Sequence, residues 1–264
     1  MNTEEKRAAV RERYGSIAED QSCGCGGSSC CGDTPAQVGA QIGYQISQLD
    51  SLPDGANLGL GCGNPTAIAS LTDGETAIDL GSGAGIDCFL ASREVGPAGH
   101  VIGVDMTPSM LSRARTNAET GGYANVEFRL GEIEHLPVAD ATAHLVMSNC
   151  VINLSVDKAA VFREAFRVLK PGGRLSVSDI VLDGELPDHI RDDASAYSAC
   201  IGGAIAREEY VRAIENAGFT DVSVVSEKPF AQTYEIKNGE QSVKLPPGVV
   251  TSVTVTAAKR MATT

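Results

Sequence analysis

The sequence predicts an α/β fold built on a mainly parallel sheet, and three observations carry that reading. From Thr76 onward, short apolar runs of strand length alternate with segments of helical periodicity. A glycine-rich turn, Gly81-Ser82-Gly83-Ala84-Gly85, separates the first of these strands from the first helix. An acidic residue, Asp105, ends the next strand. Such alternation covers both faces of a parallel sheet with helices, because each crossover between parallel strands lays a helix on one face.

Taken in order, residues 1–20 predict a short charged helix with a thin apolar stripe of Ala8, Val10 and Tyr14. Residues 21–35, QSCGCGGSSCCGDTP, have neither helical nor strand period and predict a loop. Ile42, Ile46 and Leu49 give residues 36–55 helical spacing up to Pro53-Asp54-Gly55. LGLGCGNP (58–65) predicts a glycine-rich turn, with Pro65 opening a helix PTAIASL. Strands are expected at 76–80, 100–105, 126–130, 144–149, 174–181, 221–228 and 252–259, and helices at 86–94, 108–120, 157–169 and 208–219. Asp157 is placed to cap the third of these helices. Residues 182–207 interrupt the alternation and read as an inserted helical cap. The chain thus divides into residues 1–57, helices with a cysteine-rich mobile loop, and residues 58–264, the main domain carrying the cap.

Composition narrows the function classes. With 42% hydrophobic and 21% charged residues in 264, the chain is that of an ordinary globular protein. Lys plus Arg number 21 against 34 Asp plus Glu, a net charge of −13. Phosphate backbones repel such a surface, and no basic patch offsets it, so nucleic acid is excluded as a partner. No apolar run is long enough to span a bilayer, and the charged N-terminus is no secretory signal. A cytoplasmic protein without membrane partners is expected. Eight cysteines in such a chain point to binding or redox chemistry rather than disulfide staples. The four histidines lie away from the cysteine clusters, which disfavours a Cys/His zinc site and leaves an all-thiolate site open. The set Cys23, Cys25, Cys30 and Cys31 reads either as a tail or as a metal cluster, although it lacks paired C-x2-C spacing. Cys88, inside IDCFLAS, reads as a small buried hydrophobe.

The glycine turn alone also fits a dinucleotide-binding domain. In combination, IDLGSGAG, VIGVDMTPSML, LGEIEHLPVAD and FREAFRVLKPGGRLSVSDI resemble the class I S-adenosylmethionine (SAM) methyltransferases. The resemblance covers about residues 60–260 and implies a Rossmann-like fold, with a mainly parallel seven-stranded sheet flanked by helices. It implies SAM as methyl donor. Asp79, Gly81 and Gly83 would stand at its amino-acid end, Asp105 on the ribose, Met106 on the adenine, and Glu132 or Ile133 beside it. An acidic pocket also suits a sulfonium cation.

That fold places Cys150 at the carboxyl end of a central strand, where ligands bind. Cys62 lies in the turn before the domain, and Cys200 in the cap. Three thiols from three segments can converge above the donor methyl. Sulfur selects soft, thiophilic species, and three sulfurs suit trivalent arsenic, which keeps a lone pair. LGCGNP around Cys62, SNCVINLSVDK around Cys150 and SACIGGA around Cys200 resemble the arsenite methyltransferases. The resemblance implies methylation of arsenite by SAM, with Cys62, Cys150 and Cys200 holding the metalloid and no structural metal. It also implies a disulfide between an N-terminal cysteine, Cys30 or Cys31, and Cys62, reduced by thioredoxin or glutathione. Asn149 is expected to orient SAM or the site. Lowered thiol pKa values would help capture arsenic, though nearby carboxylates should oppose them. Two other readings remain: a small-molecule C- or O-methyltransferase of the quinone-biosynthesis type, and a thiol-based metalloid-binding protein.

Overall fold

The computed structural model describes residues 1–20, 34–191, 193–230, 234–238, 241–245 and 247–261. In chain order its elements are α1 (Thr3–Asp20), α2 (Pro35–Ile42), α3 (Ile46–Leu49), β1 (Thr76–Leu80), α4 (Ile86–Glu94), β2 (His100–Asp105), α5 (Pro108–Gly121), β3 (Val126–Leu130), β4 (Ala143–Asn149), a 3-10 turn at Ile152–Leu154, α6 (Lys158–Val168) and β5 (Leu169–Leu182). There follow α7 (Asp188–Arg191), α8 (Ala194–Ser198), α9 (Arg207–Asn216), β6 (Thr220–Pro229), β7 (Tyr234–Asn238), β8 (Gln241–Leu245) and β9 (Val250–Ala258).

The main sheet has the order β3-β2-β1-β4-β5-β9-β6. Neighbouring strands are parallel except at β9, which runs antiparallel to both β5 and β6. This is the mainly parallel seven-stranded sheet expected of a class I SAM methyltransferase. Strands β1, β4 and β5 are buried over most of their length because both faces are covered. One core face joins Ile78, Val146, Leu175 and Val253 to α6 and α9 through Phe162 and Tyr210. The other joins Ala77, Leu145 and Met147 to α4 and α5 through Phe89 and Leu111. Chain order reverses between β1 and β4, so the crevice at their carboxyl ends is the switch point at which such sheets bind ligands.

Local chemistry explains the element ends. Asn2 and Glu5 exchange side chain–backbone hydrogen bonds of 2.8 and 2.9 Å and box the start of α1. Asp157 Oδ1 accepts the Ala160 N–H at 2.8 Å, the expected cap of α6.

Several expectations need correction. PTAIASL is not a helix: Asn64 Oδ1 accepts from Ala67 N (3.0 Å) and Thr66 Oγ1 (2.6 Å), and this local turn closes before a helix can propagate. Residues 36–55 form two helices rather than one, because Gly43 adopts φ +115° and ends α2. Ala8 is exposed, and the buried stripe of α1 is Val10, Ile17 and Ala18. The antiparallel hairpin β7–β8 has no counterpart in the sequence reading. Among the described residues no helix is long and apolar enough to cross a membrane.

Candidate functional site at the carboxyl edge of the sheet

Strand β1 delivers Asp79 and Leu80 to the switch point, where the chain turns through Gly81 (φ +69°), Gly83 (φ +52°) and Gly85 (φ +100°). A Cβ on Gly81 would stand 2.4 Å from Val151 Cγ1, so the exit of β4 packs directly on this turn. The Gly83 N–H donates to Asp105 Oδ2 at 3.0 Å and the Thr107 N–H to Oδ1 at 2.8 Å. Burial pushes the Asp105 carboxyl up, and these N–H donors oppose the shift. Among the described residues no atom lies within 4 Å of where a Gly83 Cβ would be, and the buried Ser82 hydroxyl has no hydrogen-bond partner. Open space over the turn, an orphaned hydroxyl and a carboxylate at the next strand end fit the amino-acid and ribose ends of SAM.

The other residues expected at the cofactor are distributed around this turn. Asp79 is buried, accepts a hydrogen bond from Cys88 Sγ (3.3 Å), and is pushed well up by burial and by Asp87. Cys88 is fully buried in the apolar core, as expected, and its thiol also has a polar partner in Asp79. Met106 packs against the thiol cluster. Glu132 pairs with Arg7 at 3.1 Å, and Ile133 turns its side chain into the sheet core.

Cys62, Cys150 and Cys200 come together in one buried cluster with Val10, Leu154 and Tyr197. Cys150 follows the last residue of β4, its N–H donating to Ser178 O at 2.7 Å. Both Cys150 (φ +60°) and Cys200 (φ +67°) sit in the left-handed region, a conformation that costs a non-glycine residue about 1–3 kcal/mol and concentrates at functional sites. The tightest group is Cys62, Cys150 and Asp179, whose ligand atoms lie within 4.8 Å of one another. Cys200 stands beside it, its Sγ donating to Cys150 O at 2.8 Å and its thiol hydrogen-bonded to Cys150 and Tyr14. Cys200 thus sets a third sulfur beside the group.

The thiols are not activated, and the Asp179 carboxylate opposes activation, as expected. Burial pushes Cys62 up. Cys150 is raised well above the usual thiol range: its hydrogen bond with Cys200 lowers it, but that with Cys62 and burial prevail. Cys200 is raised by its hydrogen bond with Cys150 and by burial. Asp179, held by the Ile180 N–H (2.8 Å) and Asn153 Nδ2 (2.8 Å), is pushed up to about 6 by burial, against the pull of those N–H donors and of the Lys158 ammonium. The cluster is thus a set of neutral thiols that lose their protons only when a thiophile replaces them.

Asn149 holds the Cys62 turn. Its Oδ1 accepts the N–H groups of Cys62 (3.0 Å) and Gly63 (3.2 Å), while Nδ2 donates to Gly63 O, Tyr44 Oη and Asp87 Oδ2. The amide is spent on protein partners, so of the two expected roles the structure favours orienting the site. Tyr44 Oη also donates to Asp87 Oδ1 at 2.7 Å. Burial raises the Asp87 carboxyl to about 6, opposed by Tyr44 and Asn149. An unfolded Asp titrates near about 4. The stability this group contributes is therefore complete below about pH 4 and is lost as pH rises through about 6. Asp87→Asn cannot ionise. Its melting temperature minus that of the native chain should climb from pH 4 to pH 7, and a flat difference would place Asp87 at its ordinary value.

Helix α1 lies across this edge. Val10 enters the thiol cluster, Lys6 Nζ sits 5.0 Å over the Tyr197 ring, and Arg113 donates to Ala18 O at 2.9 Å. Sequence reasoning missed Asp179, Tyr44 and Asp87 as site residues. Asp179 was findable by the rule that selected Asp105, an acid at the carboxyl half of a buried strand. Tyr44 and Asp87 carry no local signal. Cys23, Cys25, Cys30 and Cys31 lie outside the described residues.

The chain matches the methyltransferase-domain family over residues 71–218. It is 48% identical over 230 residues to an arsenite methyltransferase of Halobacterium salinarum, covering 84% of this chain and 59% of the relative. An arsenite methyltransferase of Aquipseudomonas alcaligenes is 39% identical over 232 residues, with 85% and 65% covered. The chain therefore spans about three-fifths of the length of these curated relatives. Among solved structures, an arsenic(III) S-adenosylmethionine methyltransferase from Chlamydomonas reinhardtii superposes with a TM-score of 0.65 at 32% identity, over 88% of this chain and 76% of that one.

Proposed function

Because the chain belongs to the arsenic(III) S-adenosylmethionine methyltransferases, within the methyltransferase-domain family, we propose that it methylates arsenite, and methylarsenite in turn, as a detoxifying activity. The observation that carries this reading is the convergence of three buried thiols beside the Gly81 turn.

Residues 58–264 form the catalytic domain, with 182–207 a cap that carries Cys200, and residues 1–57 form the N-terminal segment that carries the cysteine-rich stretch. Asp79, Gly81, Gly83, Asp105 and Met106, with the loop at Glu132 and Ile133, hold SAM. When bound, SAM supplies an electrophilic methyl group on a sulfonium. Cys62, Cys150 and Cys200 each displace one hydroxide of arsenite, the thiol proton leaving with it as water. The pyramid of sulfurs leaves the arsenic lone pair free and directs it toward the Gly81 turn. Little acid–base work remains. Holding nucleophile and methyl in line is the chief contribution, worth up to about 7–11 kcal/mol in well-oriented reactions. Methylation takes arsenic formally to the pentavalent state. Two cysteine thiols return two electrons, forming a disulfide between Cys62 and Cys30 or Cys31, which thioredoxin or glutathione reduces.

Incubation with arsenite, SAM and a thiol reductant, followed by arsenic speciation, tests the reading: methylarsenicals should accumulate. Binding of arsenite without methylated product would leave a thiol-based metalloid-binding protein. Activity on a phenolic or quinone-type acceptor that survives loss of the cysteines would leave a C- or O-methyltransferase. For the redox step, one of Cys30→Ser and Cys31→Ser should slow turnover of arsenite while sparing trivalent methylarsenic. Equal loss on both substrates would remove the N-terminal thiol from a purely redox role.

A further inference from the structure

The thiol site contains a donor that trivalent arsenic does not need. Arsenic takes three ligands and keeps its fourth direction for the lone pair. The structure instead gathers Cys62 and Cys150 with the Asp179 carboxylate, all buried, with ligand atoms within 4.8 Å of one another, and sets Cys200 at their side. Two or three thiolates plus one carboxylate oxygen is the donor set of a borderline or soft divalent cation in tetrahedral coordination. Around zinc, with bonds of about 2.3 Å, such donors lie about 3.8 Å apart, so this group needs to contract by only about 1 Å.

We propose that Cys62, Cys150, Cys200 and Asp179 form a tetrahedral site for a thiophilic divalent cation, Zn2+ or Cd2+, that competes with arsenite for the same sulfurs. Asp179 supplies the fourth ligand, which three-coordinate arsenic does without. A cation seated there is four-coordinate and has no lone pair to offer, so it blocks methylation. Each ligating thiol releases one proton to solvent. Asp179 is the discriminating residue. It ligates the cation and only borders the metalloid, so its removal shifts the balance between the two.

Neighbouring groups both oppose and support this role. The Lys158 ammonium faces Asp179 and competes with a cation for its charge. The N–H groups of Asn153 and Ile180 and the Tyr210 hydroxyl hold the carboxylate in place, so its direction is set before any ligand arrives. Competition with arsenite rests on the function proposed above, whereas cation binding itself does not.

The test is titration of Cd2+ into the reduced 264-residue chain carrying serine at Cys23, Cys25, Cys30 and Cys31, so that only the buried set reports. The thiolate-to-cadmium absorption band and calorimetry give occupancy, and arsenite is then added as competitor. One Cd2+ should bind per chain, and arsenite should abolish the band. Asp179→Asn keeps the shape of the side chain and should lower the ratio of Cd2+ to arsenite affinity by about tenfold or more. Cys150→Ser, outside the hydrogen-bond network of Asp179, should lose both ligands and serves as a second variant should Asp179→Asn fail to fold. An unchanged affinity ratio in Asp179→Asn, or a band that resists excess arsenite, overturns the proposal. Failure of arsenite to bind the native chain, with Cd2+ binding still dependent on Asp179, would overturn the arsenic reading and leave the cation site standing.

Discussion

Cys150→Ser is expected to abolish arsenic methylation while leaving SAM bound. Sulfur holds arsenic because it is soft, and a serine hydroxyl offers a hard oxygen that stays protonated. Two sulfurs remain, and the pyramid that aims the lone pair is lost. Removing an outer-shell partner of a bound metal commonly costs about 10–100-fold in affinity or activity, and loss of a direct ligand should exceed that. The fold should survive: serine is nearly isosteric, the Cys150 N–H still reaches Ser178 O, and the left-handed backbone is no harder for serine than for cysteine. Val151 keeps its place on the Gly81 turn, so calorimetric SAM affinity should match the native chain. Speciation after overnight turnover is the measurement. Methylarsenicals at native yield would take Cys150 out of the site.

Asn149→Ala should be the most destabilising of the substitutions considered. One half-buried amide accepts from Cys62 and Gly63 and donates to Gly63, Tyr44 and Asp87, and these partner residues are buried. Each buried group left without a partner costs about 1–3 kcal/mol, so a loss of about 3 kcal/mol or more is expected. For a chain of this size that corresponds to a fall in melting temperature of roughly 6–12 °C. The Cys62 turn loses its anchor to β4, so arsenite affinity should fall together with stability. Tyr44→Phe removes a single hydroxyl from the same network and should give a smaller change in the same direction. A melting temperature within a degree of native in Asn149→Ala would mean that water replaces the amide and that the turn is held by Ser252, which donates to Cys62 O at 2.7 Å.

Much of the sheet was legible because strand signals are local. TAIDL, HVIGVD and VEFRL are continuous apolar or alternating runs between turn residues, and they fall where expected. The failures were also local in cause. Pro65 looked like a helix start, but the side chain of Asn64 captured the backbone first. The Ile42–Leu49 spacing suggested one helix, but Gly43 could leave the right-handed region and did.

Composition, motif spacing and resemblance were enough to indicate a methyl-transfer fold, to single out Cys62, Cys150 and Cys200, and to name the glycine turn with Asp105. These are chemical identities, and identity is written residue by residue. What folding added is everything that depends on distance. Asp179 closes on Cys62 and Cys150 only because β5 lies beside β4. Cys200 reaches them only because the cap folds back over that edge. The thiol pKa values rise rather than fall because the three thiols are buried together: Cys150 and Cys200 hydrogen-bond within the cluster, burial removes water from all three, and Asp179 adds a smaller upward push. Desolvation and through-space contact have no period along the chain, so no reading of the sequence alone could have placed them.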